Sequence, residues 1–190
     1  MKKIVLFGDS ITFGYGVYEK DSIAALLRAT LPYEVINSGV NGDTTREALA
    51  RLKRDVLDCS PDILTVLFGS NDSAMSDYYY RTSYEFEKNI TAIINKVGEV
   101  FPQCRIILIT PPPVDDAVFM PSTLNKRLIP YIEALKNIAE VSGCELCDLN
   151  TYFILKSNGS LESFLQEDGC HLTEKGYKLF FDCLSEFLEK

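Results

Sequence analysis

Histidine is nearly missing from this chain: His171 stands alone among 190 residues. Any reaction that relies on an imidazole near neutral pH must therefore use this one ring. Positive charge is also scarce. Nineteen Lys and Arg are set against 27 Asp and Glu, a formal net charge of -8. That balance argues against the clustered cationic surface a nucleic-acid backbone needs, and against docking on anionic lipid. No run approaches the ~18 apolar residues of a membrane span. The apolar stretch after Lys2-Lys3 ends at polar Asp9 and Ser10, too early for a signal-peptide core. We therefore expect a cytoplasmic protein with no nucleic-acid partner and no membrane insertion. Nothing in the sequence supports a homo-oligomer or excludes one.

Several motifs are absent as well. No G-x-S-x-G elbow is present, which disfavours the α/β-hydrolase arrangement. No phosphate-binding G-x-x-x-x-G-K-[ST] loop occurs, and no G-x-G-x-x-G follows the first apolar run. The six cysteines include one C-x-x-C pair, Cys144 and Cys147. That pair falls in a stretch that reads as a strand, where residues three apart point to opposite faces. No second pair or second histidine completes a zinc site. Buried free thiols are expected, and no metal and no cofactor.

Apolar residues make up 46% and charged residues 24%, the balance of a soluble globular protein. The length suits one domain over residues 1–190. Five short apolar runs recur: Lys3–Phe7, Tyr33–Asn37, Ile63–Phe68, Arg105–Thr110 and Glu145–Leu149. They alternate little, as strands covered on both faces do. Helical patterns lie between them. Thr44 and Glu47 form a capping box, followed by a stripe of Leu49, Leu52 and Val56. Phe86, Ile90, Ile93, Ile94 and Val97 form a second stripe. A third, Leu128, Ile132, Leu135, Ile138 and Ala139, contains Pro130 and so predicts a kink. The last helix begins near Thr173 and places Tyr177, Phe180, Phe181, Leu184, Phe187 and Leu188 on one side. Alternating strands and helices predict a flavodoxin-like three-layer α/β/α sandwich with a five-stranded parallel sheet. Ligands bind such sheets beyond the carboxyl ends of the strands, so the chemistry belongs in the loops that follow them.

Those loops hold the notable residues. Gly8-Asp9-Ser10 follows the first strand, Asn37 to Thr44 the second, and Gly69-Ser70-Asn71-Asp72 the third. Asp168 and His171 precede the last helix. Acyl transfer needs a nucleophile, a base, a group that orients the base, and donors for the developing oxyanion. Ser10 supplies a hydroxyl, His171 a base and Asp168, three residues away, an acceptor for the second imidazole nitrogen. The Ser10 N–H, the Gly39 N–H and the Asn71 amide are candidate oxyanion donors. Asp9 and Asp72 read as loop-holding carboxylates. Tyr78-Tyr79-Tyr80 line a pocket or cover a helix start. Val118, Phe119 and Met120, in the loop Pro111 to Pro121, suit an acyl-chain wall, a subunit contact or plain packing.

These four blocks, in this order, resemble the SGNH hydrolases, or GDSL-type esterases, and the resemblance spans essentially the whole chain. Ile11 departs from the leucine that many members carry after the serine. Phe68 to Ser73, Ile109-Thr110-Pro111-Pro112-Pro113 and Asp168 to Thr173 look like the isoamyl-acetate-hydrolysing esterases. The resemblance implies a serine esterase acting on short acyl esters of small alcohols, with Ser10, His171 and Asp168 as its triad and Ser10, Gly39 and Asn71 around the oxyanion. A thioesterase, a lysophospholipase or a carbohydrate deacetylase would use the same triad. Outside enzymes, the alternative is a flavodoxin-like module for a phosphate or flavin, which needs donors in the first loop but no histidine.

Overall fold

The computed structural model describes residues 1–118 and 125–189. Among the described residues there are five strands: β1 (Lys3–Gly8), β2 (Glu34–Gly39), β3 (Ile63–Leu67), β4 (Arg105–Ile109) and β5 (Glu145–Cys147). All pair in parallel, in the order β2-β1-β3-β4-β5. The expected doubly wound architecture is thus observed.

Burial on both sides explains the poor alternation of the strands. Ile4 and Leu6 of β1 join one core cluster, while Val5 and Phe7 join the other. β4 divides in the same way, with Ile107 and Ile109 on the first face and Ile106 and Leu108 on the second. The first face is covered by α2 (Ile23–Thr30), α6 (Leu149–Ser157) and α7 (Glu174–Leu188). The second is covered by α3 (Thr45–Asp55), α4 (Ser83–Val100) and α5 (Asn125–Ser142). One further helix, α1, is a single turn over Ser10–Phe13.

Two local expectations change. The fifth strand ends at Cys147 rather than Leu149, because the Asp148 side chain accepts the Thr151 N–H and caps α6. Pro130 lies inside α5, which runs on past it. Of the six free cysteines, only Cys147 and Cys183 are buried; the rest are partly exposed. The strand expected to hold the C-x-x-C pair takes only Cys147, and Cys144 lies directly ahead of it. Cys147 lies in the first core cluster, while Cys144 packs against the second.

The strand order places its reversal between β1 and β3, the position where an open α/β sheet leaves a crevice at its carboxyl edge. The loops carrying Ser10 and Asn71 leave these two neighbouring strands. The described residues include no helix long and apolar enough to cross a membrane.

Leu108 is fully buried between β4's neighbours and the α4–α5 layer. Leu108→Ala should cost about 2–5 kcal/mol in urea unfolding. Val100→Ala, at a half-exposed position, should stay within about 0.5 kcal/mol. Equal losses at both sites would contradict this layering.

Candidate active site

Ser10 opens α1 directly after β1. Asp9 forms the cap, with its Oδ1 accepting the Ile11 N–H at 2.9 Å. A one-turn helix has no amphipathic pattern to reveal it, but its cap is enough to orient the serine. Gly14 closes the turn at φ +97, a left-handed conformation that glycine adopts without a Cβ penalty.

His171 reaches the serine from the far end of the chain. Its Nε2 lies 3.0 Å from Ser10 Oγ, and its Nδ1 lies 2.6 Å from Asp168 Oδ2. A proton on Nδ1 leaves Nε2 as an acceptor for the serine hydroxyl. The loop that presents the ring is well tied. Asp168 Oδ1 accepts the N–H groups of both Cys170 and His171 at 2.9 Å. Leu165 and Leu172 form an antiparallel bridge, and the Gln166 N–H donates to the His171 carbonyl at 2.7 Å. Burial alone would raise the Asp168 pKa, but the bonds from His171 and Cys170 outweigh it and hold the carboxyl below its usual range. Asp168 is thus an ionised acceptor beside the ring.

Two residues the sequence did not single out also touch this arrangement. The Tyr15 ring lies 4.4 Å, centroid to centroid, from the His171 imidazole. Gln166 Nε2 donates to the carbonyls of Tyr15 and Leu172, joining the first loop to the histidine loop. On α7, buried Tyr177 donates its hydroxyl to the Ile11 carbonyl at 2.8 Å, which ties the last helix to the serine turn.

The second loop departs from expectation. The Gly39 N–H donates to Asn37 Oδ1 at 2.9 Å, so it is already occupied. Glycine is needed here for a different reason: a Cβ would sit 2.2 Å from the Phe13 nitrogen, inside the α1 turn. Gly42 has the properties first assigned to Gly39. It adopts φ +80 in a turn closed by the Asp43 N–H on the Val40 carbonyl. Among the described residues, neither its N–H nor that of Ser10 has an acceptor. Asn71 lies beside it, with Nδ2 donating to the Asp43 carbonyl at 2.9 Å; the second amide hydrogen is not used in that bond. Tyr79 stands over this turn, its hydroxyl 3.4 Å from where a Gly42 Cβ would lie. Nothing in the spacing distinguished Gly39 from Gly42, because both lie in the same loop. Which N–H is spent depends on the side chain of Asn37.

Asp72 holds its loop as expected, accepting the Thr45 N–H at 3.1 Å and the Thr45 hydroxyl at 2.6 Å. Tyr78 and Tyr80 are exposed ahead of α4. Val118 is half exposed, while Phe119 and Met120 lie outside the described residues.

Asp9 is a buried carboxyl beside the serine turn. It is fully buried, and its Oδ2 has no partner among the described residues. Burial, assisted by the charges of Asp72 and Asp43 and opposed by the Ile11 N–H, pushes its pKa up to about 7. Between its ordinary value and 7 the folded chain holds a proton that the unfolded chain has released. Stability from this group therefore falls as pH rises through that window. Asp9→Asn keeps the acceptor for Ile11 and removes the charge. It should raise Tm by several degrees at pH 8 and much less at pH 5, read by thermal scans at both. An equal shift at the two pH values would show that Asp9 is not neutralised by folding.

Comparison with known proteins identifies the family. A family model described as the GDSL-like lipase/acylhydrolase family matches residues 6–179. The chain is 32% identical to the bovine (Bos taurus) isoamyl acetate-hydrolyzing esterase 1 homolog, over 99% of this chain and 82% of that one. Among solved structures, it is similar to a lipase/acylhydrolase from Enterococcus faecalis, with TM-score 0.84 and 30% identity over 99% of this chain and 95% of that one. An acetyl xylan esterase superposes with TM-score 0.84 and 26% identity, covering 97% and 98%.

Proposed function

Because the chain belongs to the GDSL-like lipase/acylhydrolase family, we propose that it hydrolyses short-chain acyl esters through Ser10, His171 and Asp168. The observation that carries this reading is the continuous hydrogen-bonded line from Ser10 Oγ through both ring nitrogens of His171 to Asp168.

In this mechanism Ser10 Oγ attacks the ester carbonyl as His171 Nε2 takes its proton. Asp168 keeps the other nitrogen protonated and stabilises the imidazolium that forms. Negative charge developing on the carbonyl oxygen is met by the Ser10 N–H, the Gly42 N–H and the free amide hydrogen of Asn71, fixed donors that need no reorganisation. His171 then protonates the leaving alcohol, and water repeats the sequence on the acyl-serine. Gly42 replaces Gly39 in this account, since its N–H is unspent.

A short acyl group is supported by the acetate in the name of the bovine relative. A second reading, removal of acetyl groups from a carbohydrate, draws on the likeness to an acetyl xylan esterase. It uses the same acyl chemistry with a different alcohol.

Treatment with an organophosphonate should add one adduct, located on Ser10 by peptide mass. Ser10→Ala should lose about 10⁴–10⁶ in kcat. An adduct elsewhere, or full activity in the variant, refutes the nucleophile.

The acyl preference is read from p-nitrophenyl esters of increasing chain length, with acetylated xylan as a parallel substrate. We expect kcat/KM for acetyl and butyryl esters to exceed that for palmitoyl. The reverse order would reject a short acyl site, and faster release of acetate from xylan would favour the carbohydrate reading.

A further inference from the structure

Arg51 lies on the buried side of α3, with its guanidinium 4.5 Å from the centroid of the Phe7 ring. Every nitrogen of that group is engaged. Nη2 donates to the Gly8 carbonyl at 2.9 Å, and Nη1 donates to the Ser38 carbonyl at 2.8 Å. Nε is paired with the Asp43 carboxylate, and Nη1 also meets Asp55 at 3.1 Å. Gly8 is two residues before Ser10, and Ser38 leads into the Gly39–Gly42 loop. Asp43 follows Gly42 directly, and its carbonyl holds the Asn71 amide. One side chain thus joins the end of β1, the end of β2 and the turn that adjoins Asn71.

A buried charge is retained only when its hydrogen-bonding capacity is met. Here it is met by the carbonyls at the ends of β1 and β2 and by Asp43, in addition to Asp55 on its own helix. A lysine presents a point charge with three donors and no planar fork, and cannot reproduce these four diverging bonds. Packing alone would be served by an apolar residue, as at neighbouring Ala48 and Leu52.

We infer that Arg51 is the positioning residue of the oxyanion hole, holding the Ser10, Gly42 and Asn71 donors in register with one another. The inference rests on the hydrolytic reading above. Donors 1 Å out of place lose much of their transition-state stabilisation, while ground-state ester binding changes little.

The test measures kcat and KM on p-nitrophenyl acetate together with Tm. Arg51→Lys should lower kcat about 10- to 100-fold with KM within about 3-fold of wild type. In an Asn71→Ala background the same substitution should cost less, because one of the three positioned donors is already gone. Asp55→Asn, which loosens Arg51 only from its own helix, should keep the wild-type kcat. If Arg51→Lys does not melt cooperatively, Asp43→Ala takes its place, freeing the Gly42 turn from the guanidinium, with the same expected loss and the same coupling to Asn71.

A wild-type kcat in Arg51→Lys, a loss confined to KM, full additivity with Asn71→Ala, or an equal loss in Asp55→Asn each overturns the inference. Phosphonate labelling of the wild type separates the two levels. With an adduct on Ser10, such a result removes only the role of Arg51. Without one, the serine reading falls and the inference with it.

Discussion

The contact between Ser10 and His171 joins residues 161 positions apart, and the rest of the site is arranged around closing that distance. Neither residue lies in a long regular element. Ser10 opens a single turn, and His171 sits in a short hairpin. The sheet brings them close, but fixed geometry comes from cross-links at the carboxyl edge. Tyr177 holds the serine turn from α7, and Gln166 holds the Tyr15 segment against the histidine loop. Hydrogen bonds of this kind each contribute modestly to stability. Their larger effect is to leave the loops few alternative conformations.

The charges follow the same economy. Asp168 is kept ionised by the groups it organises, so the carboxylate that faces the ring also shapes the loop that presents it. Asp9 is the converse case: its burial beside the serine turn disfavours ionisation, while its carbonyl and carboxyl oxygens still cap α1. Two carboxyl groups on either side of the serine turn are thereby shifted in opposite directions, one by burial and the other by the hydrogen bonds it accepts.

Membership of the hydrolase family and the parallel sheet account for the placement of the machinery, and the fine choices within it remain local. Gly39 is small because α1 packs on it, whereas Gly42 is bent because its turn demands a positive φ. Two glycines three residues apart serve different physical needs, and only one retains a free N–H.

The linear chain by itself determined the sheet and its two covering layers, and it named the candidate triad. Apolar runs and helical stripes are local patterns, and a lone histidine leaves one candidate base. Even Arg51 left a trace, as a charge on the helix face shared with Ala48 and Leu52. Tertiary structure alone decided which donors are free and which are spent, because that depends on partners distant in sequence: Asn71 on Asp43, Arg51 on Gly8, Tyr177 on Ile11. Gly39 differs in scale, since its N–H is taken by Asn37 two residues away, a bond set by a side-chain rotamer. Hydrophobic periodicity records where a residue lies relative to the core. It carries no record of which hydrogen bonds are already made, and at this site those bonds decide what remains for a substrate.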